Sequence, residues 1–139
     1  MSARVTEELH RQGLQLMMTF QKDAERAFEA RGLSPLKAMV LHCLAYGASY
    51  PKELAEALSA PPSAVSAWLG DLGERGLLAR DTDPDDRRRV RLKLTPAGRE
   101  MLAKLEEAWY ASYSRRLAAL SEAELAELYR LQAKLLEAV

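Results

Sequence analysis

From Arg4 to Arg31 apolar residues return at helical spacing: Val5, Leu9, Leu16, Phe20, Ala24 and Ala27 or Phe28 share one face. The pattern predicts one long helix over 4–31, stopped by Gly32. Ser34-Pro35 supplies an N-cap and a first-turn proline for a second helix that runs to about Tyr46 and ends at Gly47. Pro51 opens a short third helix in which Leu54 and Leu58 lie four apart, and Ser59-Ala60-Pro61-Pro62 breaks it. A fourth helix is predicted from about Ser63 to Arg75, with Val65, Leu69 and Leu72 inward and Gly76 as its C-terminal cap. The period then changes. Leu77–Arg80 and Val90–Leu94 read as short strands, the second alternating with period two, and the acidic stretch with Pro84 between them reads as a turn. Thr95-Pro96 caps a fifth helix reaching about Leu120. Ser121 and Glu124 form a capping box for a sixth, with Leu125, Leu128, Leu131 and Leu135 on one face.

A short helix, a tight turn, a second helix and then a hairpin is the order of a winged helix-turn-helix. The fold class expected is therefore mainly α with a small β-hairpin wing, the winged core spanning 34–94. The first helix would be roughly 42 Å long at about 1.5 Å per residue. A core of that size cannot cover it, and the last two helices carry apolar stripes of their own. The segments 4–31 and 96–138 are thus expected to be dimerisation helices that bury against a second copy, all within a single domain of 1–139.

Composition narrows the class. Charged residues are 29% and hydrophobic residues 48% of 139 residues, too apolar for a disordered chain. No apolar run approaches the roughly 20 residues of a membrane span, and the amphipathic N-terminus lacks a signal-peptide core, so a cytoplasmic protein without a membrane partner is expected. The two histidines and one cysteine form no catalytic or metal-ligand constellation, and no Gly-rich phosphate loop is present. No enzyme, cofactor or metal is expected. Cys43 lies in an apolar helical run and reads as a small core residue. Lys+Arg and Asp+Glu are both 20, so any surface for a polyanion must be a local patch. The densest one is Arg87 to Lys93, five cations with no acid, directly after an aspartate-rich turn.

These residues resemble the MarR family (multiple antibiotic resistance regulators), dimeric winged-helix transcription factors. The resemblance is carried by Glu53 through Gly98. "ELAEALSAPPSAVSAWLGDLGERGLLARD" has the family's helix-turn-helix length without a gap. "DDRRRVRLKLTPAG" is similar to its wing, with Asp86-x-Arg88 and, after it, Leu94-Thr95-x-x-Gly98. The resemblance implies a homodimer on double-stranded DNA at a pseudo-palindromic operator, acting as a repressor. It implies that the fourth helix enters the major groove with Ser63, Ala64, Ser66 and Ala67. It also implies that the wing, with Arg87, Arg88 and Arg89, meets the backbone and minor groove, and Lys52 is grouped with these DNA contacts. Arg88 matches the tip arginine, and Asp86 its supporting carboxylate.

The sequence departs from the pattern in places. The family often has an arginine where Ala67 stands and a basic residue at Asp71, so this helix lacks the commonest guanine-reading contact. Asp71 would repel phosphate if it faced the backbone. A winged-helix protein-interaction module with weak or lost DNA binding is the competing expectation. Tyr50 stands where the family often has a small hydroxyl residue, which weakens one helix cap. Gly70 and Gly73, inside the fourth helix, are expected to admit a neighbouring backbone, and Trp68 to pack against the wing. Family members commonly release DNA when a small aromatic or phenolic ligand binds between the dimer helices and the winged domain. The residues to consider for such a pocket are His10, Met17, His42, Trp109 and Tyr113. No cysteine stands near the start of the first helix, where some members sense oxidants.

Overall fold

The computed structural model of the chain describes residues 2–138. Its elements run α1 (Ala3–Glu29), α2 (Pro35–Ala45), α3 (Pro51–Ala57), α4 (Pro62–Glu74), β1 (Leu78–Thr82), β2 (Val90–Leu94), α5 (Pro96–Leu117) and α6 (Glu122–Glu137). This is the expected winged helix-turn-helix flanked by long terminal helices. The caps act where the sequence places them. Ser34 accepts from the Lys37 amide, Thr95 from the Gly98 amide, and the Ser121/Glu124 box is closed in both directions.

Val40, Leu41, Leu54, Val65, Leu69, Leu72, Leu92 and Leu105 lie at the centre of one buried cluster, in which α2 is surrounded by α3, α4, the hairpin and α5. α1 crosses α5 and contributes Ala24 and Phe28 to this core, with Ala27 packed against it. Trp68 packs against the same cluster, half-buried. Cys43 does likewise, half-buried, and burial pushes its thiol pKa up.

The hairpin is antiparallel, with Leu78 opposite Leu94 and Thr82 opposite Val90. β1 extends two residues beyond the predicted Arg80. Asp81 and Thr82 read as turn because they are polar, yet they pair with Arg91 and Val90, and Asp81 meets Lys93 at 2.6 Å. Leu92 also donates its amide to the Ser49 carbonyl at 2.7 Å, so the loop before α3 is stitched to the edge of β2.

The Leu-Thr-x-x-Gly segment is the joint between wing and α5. The Thr95 hydroxyl donates to the Gly76 carbonyl and its amide to the Leu77 carbonyl. The first turn of α5 is thereby pressed onto the chain leaving α4. Gly98 sits at the contact, where a Cβ would overlap the Leu77 carbonyl oxygen and lie 2.9 Å from its carbon. α5 ends at Leu117, a turn short of the predicted boundary, and Ser121 starts α6 afresh.

The terminal helices leave apolar surface bare. Val5, Leu9, Leu16 and Met17 of α1 are exposed, and α6 has no buried residue, with Leu135 and Leu136 72% and 85% exposed.

Candidate nucleic-acid interface

Pro61 and Pro62 start α4 without a side-chain cap, and its apolar positions Val65, Leu69 and Leu72 turn one face into the core. The opposite face then presents Ser63, Ser66 and Ala67 to solvent, with Ala64 half-exposed beside them. Lys52, in the first turn of α3, is exposed. A cleft lined by Lys52, Ser66, Arg80 and Val90 brings the starts of α3 and α4 to the stem of the wing. Arg80 belongs to this neighbourhood, although its place in a short strand gave no sign of it.

Asp71 does not stand free. Its carboxylate meets Lys37 Nζ at 2.9 Å and Arg75 at 4.0 Å, and the Lys37 ammonium holds its pKa below the usual carboxylate range. The charge expected to repel phosphate is neutralised within the protein, against α2 and the end of its own helix. The expectation for the two helix glycines is also corrected. A Cβ at Gly70 would meet nothing within 4 Å, and one at Gly73 would touch only a Leu78 methyl at 3.8 Å. Among the described residues no backbone from another element approaches either. Gly70→Ala should therefore stabilise the fold by about 1 kcal/mol through helix propensity alone, read as a higher midpoint in urea denaturation. A loss of stability would mean that α4 uses this glycine for something other than helix.

The aspartates of the wing tip have separate tasks. Asp83 is 3% exposed, and both its oxygens are engaged. Oδ2 accepts from the Tyr50 hydroxyl at 2.7 Å and Oδ1 from the Asp85 amide at 2.9 Å. The Tyr50 bond, followed by that of the Asp85 amide, lowers the Asp83 pKa, and the same bond raises that of Tyr50. Asp86 accepts from the Arg88 amide at 3.0 Å, whereas its carboxylate is 4.0 Å from the Arg88 guanidinium. The support expected from Asp86 is thus delivered to the backbone of the arginine. The side chain of Arg88 projects outward, 96% exposed. Arg87 is exposed beside it. Arg89 is placed differently, its guanidinium lying 3.7 Å above the Tyr50 ring. Tyr50 indeed gives α3 no side-chain cap. Its reach to the wing was not legible, because nothing local in the sequence couples it to residues 33 positions away.

Three of the five ligand-pocket residues come together. Met17, Trp109 and Tyr113 line a cavity of about 600 Å³ between α1, α2 and α5, with Phe20, Phe28 and Met39. His42 borders Trp109 and Tyr113 from the other side, its Nδ1 3.3 Å from Glu106 and its ring tilted against that of Tyr46. His10 is exposed and lines neither space.

Known proteins share this architecture. Residues 33–98 match the family described as a winged helix DNA-binding domain. The chain is 39% identical over 82 residues to a putative transcriptional regulatory protein for the hcr operon of Thauera aromatica, covering 59% of this chain and 49% of that protein, about half its length. It is 31% identical over 129 residues to the HTH-type transcriptional repressor MdtR of Bacillus subtilis, covering 90% of this chain and 83% of that one. The YusO protein of B. subtilis superposes with a TM-score of 0.80 over 100% of both chains at 28% identity. Apo MarR of E. coli superposes with a TM-score of 0.83 over 92% of this chain and 96% of that one at 23% identity. A mutant of S. aureus MepR bound to an oligodeoxyribonucleotide superposes at 0.69, over 96% of each chain at 20% identity. With the hairpin, the helix-turn-helix and the terminal helices all in the same order, and with this identity over most of its length, the chain belongs to the MarR family of winged helix-turn-helix transcriptional regulators.

Proposed function

We propose that the protein is a transcriptional repressor that binds a pseudo-palindromic operator as a homodimer. The observation that carries the reading is the wing tip: Arg87 and Arg88 point to solvent from a hairpin in which Asp83 is turned inward, Asp86 accepts a backbone amide and Asp81 pairs with Lys93. Acids and arginines can thus stand side by side in the wing, because Asp83 and Asp86 shape the loop and leave the heads of Arg87 and Arg88 available. The exposed face of α4 enters the major groove with hydroxyls from Ser63 and Ser66 and methyl groups from Ala64 and Ala67, which suit thymine methyls and backbone positioning. Arg88 enters the minor groove, where a narrow A·T-rich segment concentrates negative potential. Lys52 and Arg87 meet phosphates.

The bare faces of α1 and α6 support the dimer. Together with the end of α5 they form the surface that a second copy covers, and two-fold symmetry then places two α4 helices on one side of a duplex. A small ligand that fills the cavity at Met17, Trp109 and Tyr113 would wedge α1 from α5 and change the spacing of the two winged cores. Among the described residues its lining holds no Lys or Arg, so a neutral aromatic molecule suits it better than a carboxylate. One experiment tests assembly and target together: a gel shift with the duplex upstream of the protein's own gene, alongside sedimentation of the free protein. A dimer at micromolar concentration that retards this duplex and not a random one is the expected result. A stable folded monomer, or equal retardation of both duplexes, would overturn the proposal.

A further inference from the structure

We propose that Tyr50 is the positioning residue of the wing: it fixes the tip arginine in place for DNA and withholds Arg89 from the phosphates. The inference rests on the reading of the wing as a DNA contact, and it concerns a residue outside the contact surface. The tip loop begins at Asp83 and ends at Arg89, and these two residues close it, the Asp83 amide donating to the Arg89 carbonyl at 3.1 Å. Both ends then hold the same side chain. Asp83 takes the hydroxyl of Tyr50 at 2.7 Å, and Arg89 covers its ring at 3.7 Å. Tyr50 is fixed in turn, standing at the N-terminus of α3 next to Ser49, whose carbonyl binds the Leu92 amide of β2.

Physical chemistry favours such a clamp. A two-stranded hairpin is marginal by itself, and its tip swings unless something holds it. A phenol-to-carboxylate hydrogen bond is short and charge-assisted, and it satisfies a carboxylate that is almost wholly buried. A guanidinium over a tyrosine ring is tethered there, so Arg89, although exposed, has its head drawn toward Tyr50. Arg88, one residue from the clamped end and bonded through its amide to Asp86, is left as the arginine with a fixed origin and a free head. The consequence is a division of labour among three consecutive arginines. Arg87 and Arg88 serve DNA, and Arg89 serves the wing. Specificity gains from this division, because an additional mobile cation would strengthen binding to every duplex alike.

The test compares Tyr50→Ala, Tyr50→Phe and the double variant Tyr50→Ala/Arg89→Ala with wild type, each checked for its melting temperature. Tyr50→Ala should lose roughly tenfold in affinity for the operator duplex through lost preorganisation. Its affinity for a scrambled duplex should hold or rise, with a plot of log affinity against log salt steeper by about one unit as Arg89 is released. Adding Arg89→Ala should return that slope to the wild-type value. Tyr50→Phe keeps the ring beneath Arg89 and should keep the slope, while losing part of the operator preference. A purely structural role would weaken both duplexes by the same factor at an unchanged slope, and that result would overturn the proposal. A second readout needs no DNA: trypsin should cut after Arg87 or Arg88 on the order of tenfold faster in Tyr50→Ala than in wild type, because cleavage follows the population of the opened loop. If wild type shows no preference among duplexes, the functional reading fails and the clamp is still judged by proteolysis, where equal cutting rates would reject it.

Discussion

Gly98→Ala is expected to destabilise the protein by about 3 kcal/mol or more, at the upper end of what overpacking does. The sign is informative, because helix propensity alone would favour alanine inside α5 by about 1 kcal/mol. Packing opposes it. The added methyl would occupy the position of the Leu77 carbonyl, and backbone cannot step aside as a flexible side chain can. Two neighbouring anchors stiffen the site, since Thr95 binds the carbonyls of both Gly76 and Leu77. Relief would require the first turn of α5 to lift from the chain between α4 and β1, drawing Leu94 and Leu102 out of the core. Urea denaturation followed by circular dichroism reads the effect. The contrast with Gly70→Ala sharpens it: the same substitution, in two helices of one small domain, should move the midpoint in opposite directions.

This pair of glycines also shows what the sequence could and could not convey. Capping residues, proline starts and apolar spacing act within a few residues of themselves, so Ser34, Thr95, Ser121 and the faces of α1 and α4 are legible in a linear reading. The strand pair was legible through its alternation, and its polar end at Asp81 and Thr82 was not, because cross-strand partners decide it. The glycines of α4 invite a packing explanation, and the structure offers none, whereas Gly98 has one that depends on where Leu77 arrives. The candidate site divides in the same way. Arg87 and Arg88 stand out as charge in the chain. Asp71, Asp83, Tyr50 and Arg89 acquire their roles from partners brought by the fold: Lys37 to Asp71, and the wing to Tyr50. Asp86, read as the support of Arg88, lies 4.0 Å from its guanidinium and also holds its amide, since a carboxylate two residues before an amide closes a local turn.

Arg88→Ala should weaken binding to the operator by about 1–3 kcal/mol and flatten its salt dependence by roughly one unit of slope. It should be the largest effect of any single interface residue. α4 offers hydroxyls and methyls at Ser63, Ala64, Ser66 and Ala67, and no cation, so no side chain of its exposed face matches an arginine inserted in a groove. The fold should not suffer, because the Arg88 side chain is 96% exposed and its guanidinium meets Asp86 only at 4.0 Å. Asp86→Ala should weaken binding less than Arg88→Ala, since it removes a turn bond to the arginine's backbone and leaves the charge in place. Ala67→Arg should raise affinity for many duplexes at the expense of discrimination, because it adds a cation that any phosphate satisfies.

The most direct measurement is fluorescence anisotropy of wild type and Arg88→Ala, on the duplex from upstream of the protein's own gene and on a scrambled duplex, at two salt concentrations. Wild type should prefer the first duplex, and the variant should lose most of that preference together with about one unit of salt slope. If Arg88→Ala binds both duplexes as wild type does at both salt concentrations, the wing is a solvated turn and the account of this protein as a DNA-binding regulator that reads its operator through the wing is wrong.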